Sequence, residues 1–175
     1  MTGVQTCALP IYLALKIQEV REATNWEVPI QLKLGAARVY DDVRMAAKCD
    51  PDMIYVDGME GGTGAGPHLA SEETGVPGIA AIRQARKAID DLGKRGQISL
   101  VYAGGIRNGA DVAKAIALGA DAIAIGRPYL WGLSSFGQEG VETVIDLLTR
   151  ELEIVMRQAG TLSISDIDRS YIRGA

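Results

Sequence analysis

The stretch 98–128, ISLVYAGGIRNGADVAKAIALGADAIAIGRP, constrains the fold more than any other part of the chain. It reads as strand, glycine turn, helix, second strand and second glycine turn. ISLVY is a short apolar run of β-branched and aromatic residues, the pattern of a buried strand. Gly104 and Gly105 let the backbone turn tightly and leave its N–H groups uncovered. Asn108 or Asp111 is placed to cap the following helix, in which Val112, Ala115, Ile116 and Leu118 recur at helical spacing. Gly119 ends that helix, and AIAIG runs as another buried strand into Gly126-Arg127-Pro128. Consecutive β-α units put both glycine turns at the same end of a parallel sheet. Two such turns with free N–H groups, an arginine on each and a helix start nearby form an anion site, with phosphate as the expected ligand.

The rest of the chain continues the alternation. Residues 12–24 mix Leu13, Leu15, Ile17 and Val20 with charges and read as an amphipathic helix. IQLKLG at 30–35 is a strand, 38–48 a helix with Val39, Val43 and Ala46 or Ala47 inward, and MIYVDG at 53–58 the next strand. A helix at 79–92 leads into ISLVY. After GRP come a short apolar helical turn, YLWGL, and a long helix at 138–159. This order implies a parallel sheet with crossover helices, either a doubly wound open sheet or part of a (β/α)8 barrel. A whole barrel takes about 250 residues, and no nucleotide fingerprint follows the first strand, which disfavours a Rossmann fold. The expected fold is α/β: the C-terminal half of a (β/α)8 TIM barrel, with about four parallel strands, over residues 12–160. Residues 1–11, MTGVQTCALPI, resemble a translated sequencing-adapter artefact and are set apart. The tail, 161–175, is polar and expected to fold over the outside or fray.

At 175 residues the chain is expected to be one domain with a sizeable core. Its net charge of −4 argues against nucleic acid as a partner, and no apolar run is long enough to span a membrane. Cys7 and Cys49 are too few to hold an iron–sulfur cluster within this chain. A cytoplasmic enzyme is the default expectation. Half a barrel leaves strand edges at IQLKL and AIAI open, so a homo- or hetero-oligomer is expected.

The loop 57–77, DGMEGGTGAGPHLASEETGVP, lies where barrel active sites are built. Gly61, Gly62 and Gly64 allow close approach to a flat ligand, and Thr63 can donate a hydrogen bond. Lys33, near the C-terminal end of an apolar strand, is expected to point into the barrel mouth. Its charge there needs a ligand anion, a reduced cofactor, or an ion pair with Asp57 or Glu60. His68, the only histidine, has no evident orienting carboxylate and receives no catalytic role. Glu60, Glu72 and Glu73 read as solvated charges, and no metal-ligand spacing appears.

GGIR at 104–107 followed by GRP at 126–128 looks like the phosphate site of FMN-dependent (β/α)8 oxidoreductases. That site is shared by 2-hydroxy-acid oxidases and type 2 isopentenyl-diphosphate isomerases. VDGMEGGTGAGP is similar to the corresponding segment of the FMN-binding synthase domain of the glutamate synthase family, and the likeness covers about 29–159. The resemblance implies that Gly104, Gly105, Arg107, Gly126 and Arg127 hold the FMN phosphate. It implies further that Lys33 is the catalytic lysine facing the flavin and the substrate carboxylate, with Gly61, Gly62 and Thr63 lining the substrate pocket over the ring. Hydroxy-acid oxidases carry Asn-His-Gly where this chain has Met59-Glu60-Gly61, and their phosphate turn begins with Asp where Ala103 stands here. The cysteine cluster of glutamate synthase is missing too. The implied reaction is hydride transfer from reduced FMN to the imine of a 2-oxo acid, giving an amino acid such as glutamate. An amidotransferase or electron-donor subunit is the implied partner. A 2-hydroxy-acid dehydrogenase or a type 2 isopentenyl-diphosphate isomerase-like enzyme on the same flavin site, and an inert fragment truncated at its N-terminus, remain the alternatives.

Overall fold

The computed structural model describes residues 10–61, 67, 69 and 73–173. Its elements alternate as the sequence predicts: α1 (Pro10–Ala23), β1 (Gln31–Gly35), α2 (Val39–Ala47), β2 (Met53–Asp57), α3 (Gly78–Asp90), β3 (Ser99–Ala103), α4 (Gly109–Ala117), β4 (Ala122–Ala124) and α5 (Arg127–Ala159). All neighbouring strands pair in parallel, in the order β1-β2-β3-β4. Side chains alternate across a strand, so the register divides the sheet into two faces with different surroundings.

One face carries Leu34, Val56, Tyr102 and Ile123 in one row, with Leu32, Ile54 and Leu100 in the row beneath. It packs against Val39 and Val43 of α2, Ile82 and Ile89 of α3 and Ala115 of α4. Ile54, Ile82, Ile89 and Leu100 are fully buried, and each contributes about 1.5–3 kcal/mol of transfer free energy. The other face carries Lys33, Tyr55, Val101 and Ala122 in register, then Gly35, Asp57, Ala103 and Ala124. Gln31, Lys33, Gly35, Ser99 and Ala122 on that face are exposed. Sequential strands with their helices on one face are the arrangement of a barrel wall, whereas a doubly wound sheet has helices on both. The chain is therefore part of a (β/α)8 barrel, and its open face is the inner one.

Polar groups around the buried Arg86 and the half-buried Arg21 tie the outer layer together. Arg86 of α3 donates from Nε to Gly119 O at 2.8 Å and from Nη2 to Asp121, whose carboxylate accepts Leu100 N–H at 2.7 Å. Asp52 accepts Ile30 N–H at 2.6 Å and pairs with Arg21 of α1 at 3.1 Å.

Two helices differ from expectation. Among the described residues of α1 Ile17 alone is buried, while Ile11, Tyr12, Leu15 and Val20 are exposed. This helix precedes the first strand and packs on α2, with Arg21 reaching Asp52, so one contact line takes the place of an apolar face. α5 bends at Phe136 and Gly137, whose φ is +61°, and so becomes the short and long helices read from the sequence. Across the bend Gly132 and Gly140 meet backbone to backbone, leaving no room for a side chain at either. The tail folds over the outside in two short 3₁₀ turns, Ile164–Asp166 and Arg169–Tyr171. Thr161 is buried at its start, and Ser163 and Asp166 cap each other reciprocally.

Candidate functional site

The C-terminal strand ends bring Gly35, Asp57, Ala103 and Ala124 into one row, and the loops that follow meet above it. Lys33, one register position below on β1, reaches Asp57 of β2, with Nζ 2.8 Å from Oδ2. Its ammonium also lies 4.9 Å from the centre of the Tyr55 ring. Between the partners left open by the sequence, Lys33 takes Asp57 rather than Glu60. The hydrogen bond to Asp57 holds the lysine pKa above its usual value against partial burial, with the attraction of the same carboxylate adding to it.

The turn after β3 is fixed by backbone contact. Gly104 has φ +98°, and a Cβ on it would sit 2.9 Å from Gly58 N and 3.1 Å from Gly58 Cα. Gly58 N–H meanwhile donates to Ala103 O at 2.9 Å. Tyr102 OH donates to Gly104 O, and burial, then the charges of Glu60, Asp111 and Asp57, push this phenol up to about 12. Gly105, φ +68°, faces the Glu60 side chain, whose Cγ a Cβ on it would meet at 3.2 Å. Gly61 packs so closely on Asp57 that a Cβ there would overlap the carboxylate Oδ1. Gly62, Thr63, His68 and Glu72 lie outside the described residues.

Glu60 is exposed, as a solvated charge would be, yet it has specific partners. Its Oε2 accepts Gly78 N–H at 3.1 Å, capping α3, whose N-cap residue Pro77 offers no side-chain acceptor. Its backbone carbonyl accepts Nη2 of Arg127. Touching Gly105 on one side and Arg127 on the other, Glu60 shows that the GGIR and GRP turns converge. The clue in the sequence was Pro77-Gly78, a helix start that must borrow a cap from elsewhere.

The expectation of free amides beside the first turn needs correction at α4. Asn108, not Asp111, is the cap: its Oδ1 accepts Asp111 N–H at 3.0 Å. Gly109 N–H donates to Glu151 of α5 at 2.8 Å, and Arg107 N–H to Asp111 at 3.3 Å. The chain's own carboxylates thus satisfy the start of α4. The start of α5 is different. Gly126 supplies no side-chain cap, the first turn carries no acidic residue, and a Cβ on Gly126 would meet nothing within 4 Å. Pro128 suits that first turn because it brings no N–H. Arg107 is exposed and binds Asp111 through Nε at 3.1 Å. Arg107, the 104–105 turn, Arg127 and the uncapped start of α5 thus all follow the C-terminal ends of β3 and β4.

Behind the sheet, the cleft between α3 and the tail is lined by charged residues that pair among themselves, as Lys87–Asp91 and Arg95–Asp90 do at 2.6 Å each. Among the described residues no group of His, Cys, Asp and Glu could hold a metal ion, and no helix is long and apolar enough to cross a membrane.

Residues 10–135 match the family model described as a conserved region in glutamate synthase. The chain is 52% identical over 121 residues to a glutamate synthase large subunit-like protein of Rhizobium meliloti (strain 1021), covering 69% of this chain and 27% of that one. It is 31% identical to an archaeal glutamate synthase (NADPH) of Methanocaldococcus jannaschii, covering 93% of this chain and 38% of the relative. A 2-hydroxyacid oxidase of Dictyostelium discoideum is 51% identical over 78 residues, covering 45% of this chain and 20% of that one. Among solved structures, the L230A mutant of flavocytochrome b2 with benzoylformate superposes with a TM-score of 0.73 at 26% identity, covering 90% of this chain and 37% of that one. The chain thus spans well under half the length of these relatives. It belongs to the glutamate synthase family, of which it carries one side of the (β/α)8 barrel.

Proposed function

We propose that the chain is the C-terminal half of the FMN-binding barrel of a glutamate synthase-like oxidoreductase. In this reading the whole enzyme reduces a 2-imino acid, formed from a 2-oxo acid such as 2-oxoglutarate and ammonia or an amine, to an amino acid such as glutamate. The observation that carries it is the meeting of the GGIR and GRP turns at Glu60, directly above the inner face that bears Lys33.

The residues present fit a flavin phosphate. Gly126 leaves open space at an uncapped helix start, and the exposed Arg107 uses only Nε on Asp111. Its terminal nitrogens are suited to an oxyanion. Gly104, Gly105, Arg107, Gly126 and Arg127 would hold the phosphate, and FMN would supply hydride chemistry at the mouth of the barrel. The protein's own part is positional and electrostatic. Lys33, kept charged by Asp57, stabilises negative charge on the ring or on a substrate carboxylate. Gly61, Gly62 and Thr63 are assigned to the substrate pocket. Ammonia and electrons come from an amidotransferase and an electron-donor subunit.

Flavin fluorescence quenching by the purified chain tests this reading, with Arg107→Ala and Arg127→Ala as comparisons. Each arginine is expected to contribute about 1.5–3 kcal/mol, so each substitution weakens FMN by about tenfold or more. A folded chain that does not quench, or quenching untouched by both substitutions, overturns it. The likeness to a 2-hydroxyacid oxidase favours a second reading, oxidation of a 2-hydroxy acid on the same flavin. Reduction of bound FMN by a 2-hydroxy acid would establish that alternative.

A further inference from the structure

We propose that Asp57 sets the substrate class of the site: with Lys33 it forms a fixed pair of opposite charges that matches the carboxylate and adjacent nitrogen of an α-amino or 2-imino acid. The inference rests on the inner face being the substrate site of the reading above, and it adds the residue that discriminates among substrates.

The pair is placed by the sheet itself. Lys33 lies in register with Tyr55, and Asp57 with Gly35, so ammonium and carboxylate come from neighbouring strands of the same face. They are 2.8 Å apart, with the lysine side chain 58% exposed and the aspartate 14%. The Tyr55 ring flanks the ammonium on one side. Gly61 and Gly104 close around Asp57 Oδ1, and the Gly104 turn is itself locked against Gly58. At Gly35, beside the carboxylate, a Cβ would meet nothing within 4 Å, so this part of the mouth stays open.

An ammonium has three donors and a carboxylate about four acceptor positions, and their mutual contact uses one of each. An α-amino or 2-imino acid carries a carboxylate on one carbon and a nitrogen with acidic N–H groups on the next. Laid against the pair, its carboxylate faces Lys33 and its nitrogen faces Asp57. A 2-hydroxy acid satisfies the lysine equally but gives Asp57 only a neutral hydroxyl. Both ligands hydrogen-bond the ionised carboxylate, but only the cationic nitrogen adds the attraction of opposite charges, enough to separate the two classes by about tenfold in affinity. A site that holds a half-buried carboxylate disfavours the ligand that offers it no opposite charge.

The test is calorimetric titration of the full chain with L-glutamate and with (S)-2-hydroxyglutarate. The unsubstituted chain is expected to prefer glutamate by about tenfold or more. Asp57→Asn should abolish that preference by weakening glutamate alone, Asp57→Glu should retain it, and Lys33→Gln should weaken both ligands alike. Equal affinities in the unsubstituted chain, no binding of either ligand, or equal weakening by Asp57→Asn overturns the proposal. The first two results are read without any variant having to fold. FMN binding, measured separately by fluorescence, distinguishes the two failures. Flavin binding without discrimination removes the role of Asp57 and leaves the flavin reading, whereas discrimination without flavin binding does the reverse.

Discussion

Replacing Gly104 by alanine probes the close approach of the loops after β2 and β3. At φ +98° an L-residue is strained by about 1–2 kcal/mol. The added Cβ also falls 2.9 Å from Gly58 N and 3.1 Å from Gly58 Cα. Those are backbone atoms that no rotamer change can move, so overpacking adds about 1–3 kcal/mol. The sum, about 2–5 kcal/mol, lowers the urea midpoint by about 1–2 M for a typical small-protein slope. Gly126→Ala is the matched comparison. Its φ is −114° and its Cβ would meet nothing within 4 Å, so stability should stay within about 1 kcal/mol. Its methyl nevertheless narrows the open helix start, so FMN affinity should fall while the urea midpoint stays. Equilibrium urea unfolding followed by circular dichroism, together with flavin titration, reads both variants. A Gly104→Ala midpoint within about 0.3 M of the parent would refute the backbone contact on which the site is built.

Three further perturbations test other parts of the account. Arg86→Met leaves Gly119 O and Asp121 without their buried donor and should cost about 2 kcal/mol in urea unfolding, since half-exposed Asp121 recovers some solvation. Glu151→Gln weakens the bond to Gly109 N–H at the start of α4; about 1 kcal/mol is expected, with faster amide exchange at Gly109. Asp111 is buried, which alone would raise its pKa, but the bonds from Arg107 and Lys114 hold it below the usual carboxylate value. The unfolded chain therefore takes up this proton first, and the stabilisation is present above about pH 4 and lost as pH falls through the lower folded value. Urea midpoints from pH 6 to pH 2 should fall less steeply for Asp111→Asn than for the parent.

Local signals made much of this molecule legible. Short runs rich in apolar residues marked all four strands because each strand packs one face against the helices. Asn108 and the Phe136–Gly137 bend follow from side chains and φ preferences within a few residues. What escaped depends on partners distant in sequence. Glu60 reads as one acidic residue among several until β4 and α3 bring Arg127 and Gly78 to it. The amides at the start of α4 looked free because Glu151, which takes one, lies far along α5. Lys33 had two acceptors within reach on paper; the β1–β2 register selected Asp57. α1 shows the opposite error, since its periodicity suggested an apolar face, whereas Ile11, Tyr12, Leu15 and Val20 stay exposed.

The central claim is that the two glycine turns form one phosphate site, and the phosphorus resonance of FMN reports on it directly. The account predicts that the ³¹P line shifts and broadens when the chain is added, and returns to its free position with the Arg107→Ala, Arg127→Ala double variant. A line that stays at its free position with excess folded chain, or a shift that survives the double substitution, would contradict it.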